Sequence, residues 1–276
     1  MIDGDLLRAF AVLRACGPDD AETLLYNRWF HDDSQPDRDF PSAAAYRAAT
    51  LDRDRFEAGW RVIYSAMDAA GAVVAEKDNV RRMLAPPECA PEQPGCLRFA
   101  AGARLLADPL SGLLHNGFWH LSPPAWRQRP PQRRQRLYFA VAPGHEIPFA
   151  RAFVARAPLN RNWSVKMLCG RHSAGRRDAA VLYLDEGEPL DHGWVADLLA
   201  DAGSSLTDAV PCLTRPLSAG VGWAPDPGDD VSYGQLLCRT LAAIAAEGEA
   251  LASEATWLAL ARPALAKIVP DGAGDG

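Results

Sequence analysis

Short apolar runs alternate with helical patterns along residues 136–214, and this alternation is the strongest constraint on the fold. It predicts four strands, at RLYFAVAP (136–143), WSVKMLC (163–169), AAVLYLD (179–185) and AVPCLT (209–214). It also predicts a helix at 145–157, which ends before Pro158, and a later helix that ends at Gly203. Strands of this kind need a sheet whose faces are covered by the helices between and around them.

Both ends of the chain carry apolar residues at helical spacing. The pattern predicts helices over residues 4–30 and 41–60, and again from residue 232 onward with breaks at Gly248 and Pro263. The sequence therefore predicts an α+β fold, with a central and mostly antiparallel sheet flanked by N-terminal and C-terminal helices.

The region between the N-terminal helices and the alternating segment is less regular. Residues 60–84 read as a hairpin whose turn is Asp68 to Gly71, and NGFWHLS (116–122) reads as an extended segment. We expect residues 1–60 to form a helical region that is continuous with the domain formed by residues 61–276.

Charge and hydropathy exclude several classes of protein. The net charge is -6 and the sequence pI is about 5.5, which argues against a general nucleic-acid binder. No stretch approaches the ~20 apolar residues that a membrane span requires, and the acidic start MIDGD is unlike a signal peptide. We expect a cytoplasmic protein that binds neither nucleic acid nor membrane.

Motifs for metals and common cofactors are absent from the sequence. The six cysteines contain no C-x-x-C pair and the six histidines no H-x-x-x-H pair, so a zinc site is not expected. There is no G-x-G-x-x-G, Walker loop or G-x-S-x-G either. We therefore expect no metal and no cofactor.

Lysine is rare in this chain. Of 29 basic residues only Lys77, Lys166 and Lys267 are lysines, and Lys166 lies inside the apolar run WSVKMLC. On a strand, Val165 and Met167 share one face while Ser164 and Lys166 share the other. Lys166 can be a snorkelling side chain on a half-exposed face. Alternatively it is a desolvated lysine, which unlike arginine can lose its proton and act as a base.

Positive charge is concentrated around this lysine. Residues 127–177 contain eleven arginines and Lys166 against a single acid, Glu146, which gives a net charge of +11. Single arginines in such a segment are often ordinary surface charges, but the cluster favours an anionic ligand. A nucleic-acid surface would interleave aromatic residues with the charges, whereas a phosphoryl group would need two or three convergent arginines.

A lysine base beside a phosphate-binding arginine cluster defines a reaction class. Removal of the Cα proton of phosphoserine or phosphothreonine expels the phosphate from Cβ and leaves an alkene. That chemistry requires no metal and no cofactor.

Five segments in this order resemble the HopA type III effector family: RLYFAVAPGHE, WSVKMLC, RRDAAVLYLD, PCLTRPLSAGVGWAPDP and SYGQLLCRTLA. The chain also resembles HopA-like lyases of lanthipeptide and thioamide-type ribosomal-peptide biosynthesis. The resemblance spans roughly residues 60–245. Since the family is distantly similar to phosphothreonine lyases, it implies a Lys base, a His acid and several phosphate-binding arginines.

Transferred to this sequence, the base is Lys166. The strand that carries Lys-x-His in the effector pattern matches RLYFAV, which places Arg136 and Tyr138 at the two positions. The acid is then Tyr138, or His120 from another strand, or no residue if the phosphate leaves already protonated. Arg136 is one candidate for binding the phosphate. The resemblance implies further arginines after the lysine strand and near the C-terminal helix, and the candidates there are Arg176, Arg177, Arg215 and Arg239.

Each of these residues has a structural alternative. Arg215 can cap backbone carbonyls, Arg239 can be a surface charge, and Tyr138 and His120 can be packed core residues.

The sequence thus predicts a phosphoserine or phosphothreonine lyase that converts a peptide residue to dehydroalanine or dehydrobutyrine. Its substrate would be a phosphorylated precursor peptide, and a separate Ser/Thr kinase would be its partner, since the chain has no kinase motifs of its own. Two alternatives stay open. One is a non-catalytic binding module with the same fold, and the other is an effector that acts on a phosphoprotein.

Overall fold

The computed structural model describes residues 2–16, 20–31, 37–65, 71–93, 100–128, 133–173, 176–185, 187, 189–228 and 231–270. The α-helices of these ranges are α1 (Ile2–Cys16), α2 (Ala21–Leu24), α3 (Ala43–Thr50), α4 (Pro124–Gln128), α5 (Glu146–Arg156), α6 (Gly193–Ala202), α7 (Tyr233–Ala245) and α8 (Glu254–Leu265). A π-helical segment, Leu25–Phe30, continues α2.

The strands of the described ranges are β1 (Asp37–Phe40), β2 (Glu57–Ser65), β3 (Val73–Lys77), β4 (Val80–Leu84), β5 (Cys89–Pro91), β6 (Arg104–Ala107), β7 (Ser111–His115), β8 (Phe118–Ser122), β9 (Arg134–Phe139), β10 (Trp163–Leu168), β11 (Gly170–Ser173), β12 (Ala180–Asp185), β13 (Arg215–Ser218) and β14 (Val221–Pro225).

A seven-stranded antiparallel sheet forms the centre of the described structure. Its strand order is β13-β14-β9-β12-β10-β8-β7. Because side chains alternate along a strand, each strand contributes to both faces. On β10, Val165 and Met167 enter an apolar core, while Ser164 and Lys166 lie on the other face, as the sequence predicted.

Helices α3, α5 and α6 cover the face that carries Val165. Phe149 and Phe153 lie on α5 at helical spacing, and both are buried in one core with Val165 and Leu182 of the sheet. The Phe153 ring also meets the Trp163 ring edge-on at 5.2 Å between centroids. This amphipathic packing fixes α5 against the back of β10.

The opposite face of the sheet is covered only in part. Helices α1, α7 and α8 and the π-helical segment pack over Tyr138, Val181 and Ala224, which lie on β9, β12 and β14. Among the described residues, β10 and β8 contribute nothing to this second core. The border of the helical layer therefore runs beside β10, and side chains on this face of β10 and β8 stay accessible.

Two smaller sheets complete the described structure. Five strands in the order β4-β3-β2-β6-β5 enclose a small core that includes Trp60 and Leu105, and β1 pairs with β11. All of these pairings are antiparallel. The predicted α+β class is confirmed, including the antiparallel central sheet and the flanking helices from both ends.

Several predicted elements differ from the structure. The helix predicted over 41–60 ends at Thr50, because residues 57–65 form β2. AVPCLT is wrong as a strand: Leu213 adopts a positive φ of 57° there, and Pro211 has no amide hydrogen to donate to a sheet. The strand follows as β13.

Pro263 does not break the last helix, since α8 continues to Leu265. The predicted turn at Asp68 to Gly71 lies mostly outside the described residues. Within the described ranges, every helix is too short or too polar to cross a membrane.

Candidate active site

Lys166 lies on β10 at the border of the helical layer. Its direct cross-strand neighbours are His120 on β8 and Val181 on β12. Its Nζ lies 4.6 Å from the ring centroid of Phe118 and 5.8 Å from that of Tyr183. No carboxylate of the described residues forms an ion pair with it. The ammonium is therefore placed between two aromatic rings, and an anionic ligand can approach it from the open side.

An open cleft of about 590 Å³ contains Lys166. Its floor comes from β8, β9, β10 and β12, and its wall from the π-helical segment and the start of α7. The described lining residues are Tyr26, His115, Asn116, Phe118, His120, Trp126, Arg134, Arg136, Ser164, Lys166, Arg176, Tyr183, Ser232 and Gln235. None of them is Asp or Glu, so the lining has a positive charge.

Two arginines of β9 enter the cleft on the side of Tyr183. Arg136 lies beneath Tyr183, with its Cζ 5.1 Å from the ring centroid. The side chain of Asp226 is almost completely buried. Its Oδ1 lies 2.6 Å from Nη2 of Arg136, and its Oδ2 lies 2.7 Å from Nε of Arg134. One carboxylate therefore orients both guanidinium groups.

Arg176 enters the cleft on the side of Phe118, with its Cζ 5.4 Å from that ring. Its Nε and Nη2 each donate to Asp178 at 2.8 Å, a bidentate pair. Burial would raise the pKa of the Asp178 carboxyl, but Arg176 and, to a smaller extent, His31 hold that pKa well below its usual range. Asp178 is therefore ionised and fixes Arg176 from behind.

His31 lies behind this pair. Its Nδ1 is 3.5 Å from an Asp178 oxygen, and the side chain is almost completely buried. Burial lowers the pKa of His31 to about 4, although Asp178 opposes that shift. The imidazole is therefore neutral at pH 7.

His120 is the titratable neighbour of Lys166 within the cleft. Burial, and then the charge of Lys166, lower the pKa of His120 to about 4. The ring of His115 lies 6.0 Å away between centroids. A second neutral imidazole therefore lies beside the lysine at pH 7.

The structure brings four of the candidate residues into one cleft, namely Lys166, His120, Arg136 and Arg176. Tyr138 lies on β9, across from Val181, which in turn lies across from Lys166. The helical layer covers Tyr138. Its hydroxyl is buried, and burial raises the pKa of Tyr138. Tyr138 and Lys166 are not direct neighbours, because β12 lies between β9 and β10.

The other three arginines lie outside the cleft. Arg177 lines a separate cavity of about 420 Å³, together with Arg8. Arg215 stacks on Trp223 with its Cζ 4.4 Å from the ring centroid. Arg239 is exposed on α7 and pairs with Glu22 at 3.3 Å.

The basic segment as a whole divides in the same way. Of its eleven arginines, Arg134, Arg136 and Arg176 line the cleft. Arg156 and Arg171 instead form surface ion pairs with acids elsewhere in the chain. Arg129 lies outside the described residues.

Sequence reasoning missed the wall of the cleft and the buried acids. Tyr26 comes from the N-terminal segment LLYNRWF, which resembles the family but was assigned no place in the site. Ser232 and Gln235 form a capping box at the start of α7, and the spacing S-x-x-Q was a usable sign of that helix end. Asp178 directly follows Arg176 and Arg177 in the sequence, but only the fold shows which arginine it holds.

A model of the HopA1 effector protein family matches residues 110–262, more than half of the chain. The matched range contains every described residue of the cleft except Tyr26. No curated protein matches the sequence.

Two solved structures of effector proteins are similar over part of the chain. The effector protein from Pseudomonas syringae pv. tomato strain DC3000 is 20% identical with a TM-score of 0.43, and the match covers 54% of this chain and 58% of that one. The effector protein from Pseudomonas syringae pv. syringae strain 61 is 17% identical with a TM-score of 0.41, and the match covers 55% and 58%. This chain thus spans about 58% of the length of either structure.

Proposed function

This chain belongs to the HopA1 effector protein family, and we propose that it is a carbon–oxygen lyase that eliminates phosphate from phosphoserine or phosphothreonine in a peptide. The observation that carries the proposal is the cleft around Lys166. A lysine without a described carboxylate partner lies between two arginine positions and directly opposite a histidine. Such a set of groups can bind a tetrahedral dianion and remove a proton from a weakly acidic C–H bond in the same site.

The arginines bind the phosphate. Arg136 and Arg176 are held by Asp226 and Asp178, so the guanidinium nitrogens that these acids leave free are oriented before the ligand arrives. Arg134, which shares Asp226 with Arg136, is added to this set. Preorganised guanidinium groups bind a dianion without a further loss of side-chain freedom.

The Lys166 ammonium first releases a proton to solvent, and the neutral amine then removes the Cα proton. The electrons of the C–H bond form the Cα–Cβ double bond, and the Cβ–O bond breaks toward the phosphate. The products are inorganic phosphate and dehydroalanine from serine or dehydrobutyrine from threonine. The proton remains on Lys166 Nζ until it is released to solvent.

His120 assists the leaving oxygen. It faces Lys166 across β8 and β10, whereas Tyr138 is covered by the helical layer. Its imidazole is neutral in the free protein, since the pKa of His120 is lowered to about 4. A bound phosphate dianion stabilises the protonated form, so the substrate itself prepares His120 as the acid.

The substrate we propose is a precursor peptide of the lanthipeptide or thioamide type, phosphorylated by a separate Ser/Thr kinase in the cytoplasm. An open cleft of about 590 Å³ accommodates a peptide segment around one phosphorylated residue. An effector-type phosphoprotein would present the same group, and the neighbouring genes discriminate the two: a precursor peptide and a kinase, or a secretion chaperone.

The decisive measurement is mass spectrometry of a phosphothreonine peptide incubated with the protein. We expect the peptide to lose phosphoric acid, whereas a phosphatase would leave threonine. Lys166→Arg keeps the positive charge and removes the base, so elimination should fall by about 10³-fold or more. The matched control is Lys267→Arg, at an exposed position outside the cleft, which should retain full activity.

Unchanged elimination by Lys166→Arg would refute this mechanism. Tight binding of the phosphopeptide without any loss of phosphoric acid by the wild type would instead favour the non-catalytic binding module.

A further inference from the structure

Strand β7 lies at one edge of the central sheet. Within the described residues only β8 pairs with it, in a regular register from Ser111 to His115. The outer side of such a strand presents a row of backbone N–H and C=O groups that can pair with another extended chain.

The other edges of the seven-stranded and five-stranded sheets carry features that discourage pairing. At β13 there is Pro216 and a shift in register, and β5 is three residues long and ends at Pro91. The edge strand β4 carries Arg81 and Arg82. Charges, prolines and irregularities are the usual protection of sheet edges.

By contrast, β7 contains no proline, no acid, no lysine and no arginine. Its side chains Leu113 and Leu114 are 61% and 53% exposed, one on each face of the sheet. Exposed leucines on a regular edge strand are typical of a surface that binds an extended partner.

This edge is continuous with the cleft. Leu113 lies directly across from His120, which lies directly across from Lys166, so the three form one row on the same face. His115, the last residue of β7, lines the cleft itself. A chain that occupies the edge therefore lies beside the reacting groups.

We propose that the β7 edge binds an extended segment of the phosphorylated peptide as an additional strand of the central sheet. This inference rests on the proposed function for the identity of the occupant. Three strand spacings separate the added strand from β10, about 14 Å in all. An extended chain crosses that distance in roughly four residues, so the docking segment lies about that far from the phosphorylated residue.

The test compares two synthetic peptides for binding to the Lys166→Arg protein, which avoids turnover. One is acetyl-Ala-phosphothreonine-Ala-amide, and the other has roughly ten residues, rich in Val and Thr, on each side of phosphothreonine, which leaves about five or six beyond the spacer to pair with β7. We expect the long peptide to bind at least about tenfold more tightly. Adding Leu114→Lys should abolish that advantage, because a charge on an edge strand opposes pairing.

Met83→Lys is the matched control. Met83 is 70% exposed on β4, an edge of the five-stranded sheet, and the substitution should leave the advantage of the long peptide unchanged. A long peptide N-methylated at alternate residues is tested on protein with an unaltered β7, so the result does not depend on the folding of a variant. It should bind no better than the short peptide.

Equal binding of the two unmodified peptides would overturn the inference. So would a change from dimer to monomer in Leu114→Lys with peptide binding retained, which would assign the edge to a second copy of the chain. Elimination by the wild type is measured separately. If length-dependent binding is present without loss of phosphoric acid, the lyase function fails and the docking edge stands.

Discussion

At the scale of single residues, buried carboxylates determine what the cleft can do. Asp178 and Asp226 lie outside the lining of the cleft, but each orients a guanidinium group that points into it. Burying a charge is costly unless it is paired, so these acids are retained in ionised form only together with their arginines. The consequence is a positive surface whose geometry is fixed in advance.

His31, behind Arg176, gives a prediction about pH. The groups that face it are Asp178, Arg176, Lys166 and the edge of the Tyr26 ring. Its folded pKa of about 4 lies below the unfolded value of about 6.5, so the unfolded state binds a proton first as the pH falls. The contribution of His31 to the free energy of unfolding should therefore be fully present above about pH 6.5. It should decrease as the pH falls to about 4 and stay constant below that.

The expected loss from His31 alone is about 2 kcal/mol between pH 7 and pH 5. Urea unfolding of His31→Gln across this range should show a flatter dependence than the wild type by that amount. His145→Gln, at an exposed position, is the control and should follow the wild-type curve. Since His120 is present in all three proteins, its own titration cancels. Parallel curves for His31→Gln and the wild type would show that the buried imidazole is not the cause.

At the scale of elements, the close approach of α7 to the π-helical segment sets the wall of the cleft. A Cβ added at Gly234 would lie 2.6 to 2.9 Å from three carbons of the buried Phe30 ring. Tyr26, on the same π-helical segment, stacks on Phe30 at 5.8 Å and lines the cleft. The absence of a side chain at Gly234 is therefore a condition for the position of Tyr26.

Gly234→Ala should destabilise the protein by about 1–3 kcal/mol, because the methyl group forces the helix or the ring to move. The matched control is Gly193→Ala at the start of α6, where a Cβ meets nothing within 4 Å. That change should be neutral or stabilising, since alanine favours the helix. The measurement is the free energy of unfolding in urea, and equal values for both variants would contradict the packing argument.

Local sequence patterns predicted the helices and strands more reliably than they predicted which strands pair with each other. The strands β9, β10 and β12 and the helices α5 and α6 follow from apolar period and from end signals such as Pro158 and Gly203. The face of Lys166 on β10 followed from alternation alone. The pattern failed at AVPCLT, where the positive φ of Leu213 is incompatible with a strand. Leucine rarely adopts a positive φ, so the sequence gives no sign of this conformation.

Strand order is a property of the whole sheet and could not be predicted in this way. RLYFAV precedes WSVKMLC in sequence, yet β10 pairs with β8 and β12 and not with β9. Of the two candidate acids, this strand order makes His120 the direct neighbour of Lys166. Arg177, Arg215 and Arg239, which were chosen by sequence position, lie outside the cleft on other parts of the fold.

At the scale of the whole molecule, the two ends of the chain form one helical layer. Trp257 on α8 donates to the carbonyl of Leu6 at 2.8 Å, and Arg262 pairs with Asp3. The family match begins at residue 110, but Tyr26 of the cleft wall and His31 behind it precede that point. The N-terminal helices are therefore expected to belong to the same folding unit as the site.

A fragment consisting of residues 37–276 tests this expectation. It lacks Leu6, Phe10 and Leu13, which are completely or almost completely buried in the core beneath α7 and α8. Loss of one such side chain costs about 2–5 kcal/mol, and loss of several approaches the 5–15 kcal/mol that stabilises a typical domain. The fragment should therefore lack a cooperative thermal transition and should not eliminate phosphate. Adding residues 1–36 as a separate peptide should restore part of both, because the missing helices then return to the exposed core. A fragment that unfolds cooperatively at the temperature of the full chain and keeps its activity would show instead that the N-terminal helices are an independent unit.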